Sequence, residues 1–251
     1  MKTSLSSGLI LVSVNIEGSK HVERVLNFLR NAKPDVVCMQ EVFRHDLSLF
    51  HEVFGGSVEF VRMIDREDER GVMCEKGIAI FSRFPPEDVR VEYYYRPNAD
   101  AHFAVGDSAT YDRVLLTLHI VYQGNDYRIG TTHFTWTPHG EASDEQRRDV
   151  AELLCILDSY KEGIVFCGDF NAPRGGEIFA HLAASYKDNL PPSVQSTLDP
   201  VYHRAPPSQR DHLAVDTIFS TPEYCVDHME VVEGISDHKL LRAIISRNPS
   251  S

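Results

Sequence analysis

The chain has 251 residues, 42% of them apolar and 25% charged, with a formal net charge of −12. That length suits one domain with a single large core, residues 1–251, and the composition is that of a globular protein. The acid excess leaves no overall basic footprint for gripping long nucleic acid, and it fits a site rich in carboxylates for hard cations.

The start, "MKTSLSSGLILVSVNI", carries one lysine and a brief apolar run that ends in Asn15 and Glu17 without a small-residue cleavage site. It reads as a first buried strand, Gly8–Ile16, in place of a leader. His21–Ala32 follows as an amphipathic helix with Val22, Val25, Leu26 and Leu29 on one face. After Pro34-Asp35 comes a second buried strand, "VVCMQEVF", then a short helix over Asp46–Phe54 and a strand over Ser57–Ile64. The run "DREDERGVMCEKG" is expected to be a polar loop with solvated charges.

"IAIFSRF" and "VRVEYYY" read as strands parted by Pro85-Pro86, and Arg113–Gln123 with Tyr127–Phe134 as a hairpin around Gly124-Asn125. Ser143–Tyr160 reads as a helix whose Ser143 and Gln146 have capping-box spacing. "GIVFCGDF" is a strand and Glu177–Ala184 a helix; after a Pro-rich loop, "VDTIFST", "CVDHMEVVE" and "HKLLRAIIS" are strand-like. Buried and half-buried strands with interspersed helices predict two packed sheets flanked by helices. The apolar runs are too short for a membrane span, so no membrane insertion is expected. Five cysteines without CxxC spacing suggest neither a disulfide framework nor a zinc site, and read as free thiols of a reducing, cytoplasmic protein.

Four buried runs end in polar groups that hydrophobic packing does not require: "VNIEG", "MQEVF", "CGDFN" and "ISDHK". Each has a plain structural reading. Asn15 and Glu17 suit a turn, Glu41 a strand end or an arginine partner, and Asp237-His238 the opening of the last strand. In "FCGDFNAPRGG", turn chemistry explains Gly, Asp and Asn equally well. In extended chain, however, Asp169 and Asn171 would project from one side and gather an ionisable oxygen and an amide at one point.

Taken in order, an asparagine, a glutamate, an Asp-x-Asn and an Asp-His resemble the signature of the endonuclease/exonuclease/phosphatase superfamily, and the likeness runs over almost the whole chain. "GIAIFSRFP" resembles that family's GxAILSR strand, "IGTTHFTW" its THL strand, and "VDTIFST" the Asp-x-Ile-Phe strand that precedes its Asp-His. The resemblance implies a DNase I-like α/β fold, a four-layer α/β/β/α sandwich of two mixed sheets flanked by helices. It also implies a Mg²⁺-dependent phosphoesterase, with Mn²⁺ as a substitute.

Carried onto this sequence, the resemblance makes Glu41, Asp237 and the amide oxygen of Asn15 a sparse oxygen shell for the cation. Glu17, one methylene longer than the aspartate of many relatives, ranks below Glu41. Asp169 is expected beside the attacking water, with Asn171 orienting water or phosphate. His238 would donate to a non-bridging oxygen, with Asp216 fixing its tautomer. His133, where some members carry tyrosine, would support the phosphate or the leaving oxygen; its plain reading is a satisfied core histidine.

Arg113 and Arg147 are candidates for bidentate phosphate contacts, although Arg147 equally suits an exposed helix face beside Arg148. Trp136 is a candidate for stacking on a base or ring, or for packing at the core edge.

Family members cut DNA, RNA tails, sphingomyelin, inositol phosphates and protein–DNA links. The compact length and lack of an exposed apolar run disfavour a sphingomyelinase. Abasic-site endonucleases favour tyrosine where this chain has His133 and tryptophan where it has Val14. Tyrosyl-DNA phosphodiesterases resemble it in the hairpin before "TTHFTW" and in size. The expected substrate is therefore a phosphoester at nucleic-acid ends or a small phosphodiester. A non-catalytic binding module is disfavoured because every expected catalytic position holds a competent residue.

Overall fold

The structure, a computed structural model, describes residues 8–97 and 110–248. Its first sheet is built from β1 (Leu9–Asn15), β2 (Val36–Phe43), β3 (Ser57–Glu67), β4 (Met73–Ser82), β11 (Tyr224–Val232) and β12 (Leu240–Arg247), in the order β11-β12-β1-β2-β4-β3. The second contains β5 (Asp88–Tyr95), β6 (Arg113–Tyr122), β7 (Asn125–His133), β8 (Val165–Asp169), β9 (Lys187–Asp188) and β10 (Asp216–Ser220), in the order β5-β6-β7-β8-β10-β9.

Strand alternation sorts the apolar residues into layers. In β1, Leu9 and Leu11 face the second sheet, whereas Val12 and Val14 face the helices α1 (Val22–Ala32) and α2 (Leu47–Phe54). On the far side, Leu115 and Phe166 pack against α3 (Asp144–Leu157) and α4 (Glu177–Ala183). The result is the expected four-layer sandwich of two mixed sheets flanked by helices.

Each sheet contains one parallel pair, β1 with β2 and β7 with β8. In open sheets, ligands gather outside the carboxyl ends of parallel strands. Here those ends carry Asn15 and Gln40-Glu41 in one sheet, and His133 and Asp169 in the other. Packing the sheets face to face brings the two pairs of ends together. Gln40, fully buried, donates from Nε2 to Thr131 Oγ1 across the gap at 2.9 Å.

Several local expectations change. The run read as a polar loop is largely β-hairpin, because β3 and β4 continue their ladder through Asp65↔Glu75 and Glu67↔Met73. Strands that extend beyond the core need no apolar alternation, so charge content alone misleads there. Only residues 68–72 turn, around Asp68, which accepts from the backbone N–H groups of Arg70 (2.9 Å) and Val72 (3.0 Å).

The Val72 bond, with help from Arg70, holds the Asp68 carboxyl at about 2, below the usual carboxylate range. A depressed folded-state value stabilises above the unfolded pKa of about 4, and that stabilisation is lost as pH falls through about 2. Urea midpoints of wild type and Asp68→Asn are therefore expected to differ at pH 6 and to converge near pH 2.

The capping box of α3 is half formed. Ser143 Oγ accepts from Gln146 N at 3.1 Å, but the Gln146 side chain donates to the carbonyls of Thr135 (2.6 Å) and Asn171 (3.3 Å). The buried carbonyls of the site compete for that amide. The β6–β7 turn lies on Gln123-Gly124, both at positive φ, one residue before the expected pair. The Pro-rich loop contains two short elements without a periodic signal, β9 and α5 (Pro207–Arg210).

Candidate active site

The cavity at the joined strand ends has a volume of about 860 Å³. Glu41, Asp169, Asp237, His133 and His238 line it, with Glu17 at its mouth.

Glu41 reaches the cavity through a bulge. Period-two alternation places it with Val37 and Met39, on the helix-covered face. Between Met39 and Val42 the register against β4 slips, and Glu41 takes φ 59°. An extra residue in a strand re-aims a side chain. The Glu41 carboxylate then meets Asn15 Nδ2 at 3.3 Å and His133 Nε2 at 3.7 Å, and pairs with the ammonium of Lys76 from β4. Burial works to raise the Glu41 pKa, but the charges of Lys76 and His133 outweigh it and hold the carboxyl well below the usual range.

Asp169, at the end of β8, is almost fully buried. Its Oδ2 accepts from Asn15 Nδ2 (3.1 Å) and lies 3.6 Å from His133 Nε2 and 3.7 Å from His238 Nε2. Burial raises its pKa, with the neighbouring Asp216 adding to the effect and the two histidines opposing it. Asn171 lies near Asp169 for a reason other than extended chain. It sits at φ 48°, its N–H donates to Asp169 Oδ1 at 2.8 Å, and its side chain donates to the Phe134 carbonyl at 3.0 Å. The turn chemistry and the gathering of polar groups are one arrangement, an Asx turn.

Asp216 opens β10 opposite Asp169. Its Oδ2 lies 2.9 Å from His238 Nδ1 and accepts from Thr197 Oγ1 at 2.6 Å. Burial disfavours the imidazolium of His238, but Asp216 and Asp169 outweigh it and raise its pKa well above the ordinary value. His133 moves the other way: burial lowers its pKa despite Asp169 and Glu41. Two histidines flanking one carboxylate are thus set to opposite charge states. Asp237, buried among carboxylates, is pushed up to about 6, chiefly by desolvation.

Asn15, Arg113, Arg147 and Trp136 take four different positions around the cavity. The Asn15 amide oxygen accepts from Glu17 N–H at 3.1 Å, and its amino group spans Glu41 and Asp169. Arg113 is 2% exposed, and its guanidinium donates to the carbonyls of His133 (3.3 Å) and Phe134 (3.2 Å). It lines the cavity while bracing the end of β7 and the residue that follows. Arg147 stays outside the cavity on α3, paired with Glu177 and Asp144. Trp136 is 48% exposed at the cavity rim, so it does not pack at the core edge.

Other lining residues carried no readable signal. Lys76 precedes an apolar strand segment, "GIAIF", which gives no hint of a buried ion pair. His203 and Arg204 lie in an irregular loop held by buried Asp199, which accepts from the N–H groups of Val201, Tyr202 and Gly234. Among the described residues, the groups of His, Cys, Asp and Glu ligand atoms within 4.8 Å of one another that include Asp237 or His238 are His203–Asp237–His238, Glu17–His21–Asp237 and Asp169–Asp216–His238. The carboxylates and imidazoles gathered here are donor types that suit a divalent cation.

A family model described as the endonuclease/exonuclease/phosphatase family matches residues 12–238. No curated protein sequence matches the chain. Solved structures similar in fold include the human Nocturnin catalytic domain with bound sulfate, 19% identical, with a TM-score of 0.70 over 96% of this chain and 94% of that one. A humanised D. rerio TDP2 is 18% identical, with a TM-score of 0.68 over 96% and 100%. The mannosyl-6-phosphatase Bt3783 of Bacteroides thetaiotaomicron is 14% identical, with a TM-score of 0.69 over 95% and 99%.

Proposed function

The chain belongs to the endonuclease/exonuclease/phosphatase family, and from that membership we propose that it is a divalent-metal phosphodiesterase acting at nucleic-acid ends or on small phosphodiesters. The observation that carries this reading is Asp169, buried and 3.6–3.7 Å from two histidine rings at the floor of an accessible cavity.

Water enters beside Asp169 and attacks phosphorus. Its proton passes to the Asp169 carboxylate, whose raised pKa makes it a better acceptor than an exposed aspartate. The P–O bond to the leaving group breaks, and the leaving oxygen takes a proton from solvent through His133. His238, kept cationic by Asp216, donates from Nε2 to a non-bridging oxygen and stabilises the charge that develops there. Asn15 and Asn171 hold Asp169 in place through both carboxylate oxygens. When bound, a divalent cation supplies charge neutralisation and polarises a phosphoryl oxygen.

Trp136 at the rim offers a flat face to a base or an aromatic leaving group, which favours nucleic-acid ends over a lipid headgroup. Among the described residues, no helix is long and apolar enough to cross a membrane. The five cysteines are free, in keeping with the cytoplasmic location that forms part of this proposal.

The test is a Mg²⁺- and Mn²⁺-dependent panel: a 5′-tyrosyl oligonucleotide, abasic duplex, single-stranded DNA, RNA, sphingomyelin and bis-p-nitrophenyl phosphate. Turnover of one nucleic-acid substrate is expected, with KM raised about tenfold in Trp136→Ala and kcat little changed. Turnover of sphingomyelin alone would replace the substrate class, and no turnover on any arm would remove the enzymatic reading.

A further inference from the structure

Past Phe43↔Lys76, the last register pair of β2 with β4, the two segments stay side by side. One step on, Arg44 pairs with Glu75, and the next step sets His45 near Cys74. On its other flank Cys74 pairs with Arg66 of β3, two residues before Asp68, whose carboxylate closes the β3–β4 turn. Three neighbouring segments thus bring an imidazole, a carboxylate and a thiol to one point. His45, Asp68 and Cys74 each offer a ligand atom within 4.8 Å of the others. None of the three has a part in the mechanism above.

The donors are held in place. The His45 ring stacks on Phe43, with centroids 5.4 Å apart and planes 11° apart. Its Nε2 lies 4.0 Å from Asp68 Oδ2 and 3.5 Å from Asp46 Oδ1. Such separations are long for hydrogen bonds, whereas ligands about 2.1 Å from one tetrahedral ion sit about 3.4 Å apart. The Asp68 side chain is 1% exposed. Its Oδ1 takes the two backbone N–H groups of the turn, which leaves Oδ2 to His45 and to the guanidinium of Arg70 at 2.7 Å. Arg70 is 70% exposed, so an ion at Oδ2 returns that guanidinium to water and displaces no buried charge.

We propose that His45, Asp68 and Cys74 hold a zinc ion, with water in the fourth place, which fastens the β3–β4 turn to the end of β2. A thiolate, an imidazole and a carboxylate are the donors of tetrahedral zinc, and a thiolate is a donor that Mg²⁺ does not take. On binding, the S–H bond of Cys74 gives way to an S–Zn bond and the proton passes to solvent. A single thiolate needs no CxxC spacing, so the scattered cysteines of the sequence gave no sign of it. Asp68 lines the catalytic cavity, and the ion steadies that wall without touching the reacting atoms. The zinc site does not depend on the phosphodiesterase reading, and its test needs no substrate.

Co²⁺ is the probe, because a cobalt–thiolate bond has a near-ultraviolet charge-transfer band that carboxylate and imidazole ligands do not produce. Co²⁺ is titrated into the whole, reduced protein in excess Mg²⁺ with no thiol reductant present. The band is expected to rise to saturation, to bleach on addition of Zn²⁺, and to resist about a hundredfold excess of Mg²⁺. Cys74→Ser should abolish it, His45→Ala should weaken Co²⁺ binding about tenfold or more, and Cys155→Ser, which removes the exposed thiol of α3, should leave it unchanged. No band in wild type, or a band that survives Cys74→Ser, overturns the assignment.

Should a variant fail to fold, wild type alone gives the answer. Zn²⁺ is expected to slow alkylation of Cys74 by iodoacetamide about tenfold, read by peptide mass spectrometry, while exposed Cys155 reacts at an unchanged rate. Equal rates at Cys74 with and without Zn²⁺ overturn the proposal. A protein that binds Co²⁺ through Cys74 and turns over nothing would support this site and remove the function above. Turnover with Mg²⁺ and no thiolate band would do the reverse.

Discussion

Asp169→Asn is expected to lower kcat by about 10²–10⁴-fold while leaving the fold intact. The carboxylate is the proton acceptor nearest the place where water must attack, and an amide cannot take that proton. The fold should survive, because an Asn side chain still presents an oxygen to the Asn171 N–H that Oδ1 now accepts. A second consequence compounds the first. Asp169 is one of the carboxylates that keep His238 cationic, with Asp216 and Asp237, so its neutral replacement also weakens the donor to phosphate. Single-turnover rates together with circular dichroism and a melting curve check this, and wild-type-like rates in a folded variant would transfer the base to another residue.

The largest stability effect is expected next door. Gly168 in β8 stands at φ 145°, and a Cβ there would lie 2.0 Å from the Thr132 carbonyl oxygen. That oxygen belongs to β7, paired in register with Gly168 at the centre of the second sheet, so neither strand has room to withdraw. Gly168→Ala should cost at least ~3 kcal/mol, seen as a fall in melting temperature of roughly 10 °C or as insoluble protein.

Gly124→Ala is the matched control. It has φ 77° but nothing within 4 Å of a new Cβ, so it carries only the backbone strain, about 1–2 kcal/mol. If both variants melt alike, conformational strain and not the close approach of β7 explains the glycine. The close approach is what delivers Asp169 beside His133, its register partner.

Much of the candidate site was legible because phosphoester chemistry needs residue types that strand cores reject. Asn15 and Asp169 end apolar strands, Glu41 interrupts one and Asp237-His238 precede the last, and the structure gathers all of them around one cavity or its immediate wall. Strand spans were legible where one face is buried, as in β1 and β8. They were not legible in the hairpin of β3 and β4, whose outer ladder sets charged residues against Met73 and Cys74 and fully buries neither face. Arg147 misled because a helix arginine looks the same whether it meets phosphate or, as here, Glu177.

By itself, then, the sequence determined the layers, the strand-end chemistry and their order along the chain, because period-two burial and the rejection of polar groups from a core are local properties. Only the tertiary structure decided what those groups do to one another. Asn15 and Asp169 lie 154 residues apart and touch because two sheets pack face to face. Glu41 turns into the cavity through a bulge at φ 59°, against the alternation of its own strand. Whether Glu41 meets a cation or the ammonium of Lys76 depends on a neighbouring strand. Charge compensation in a buried site is set by distances between distant segments, and no local pattern carries those.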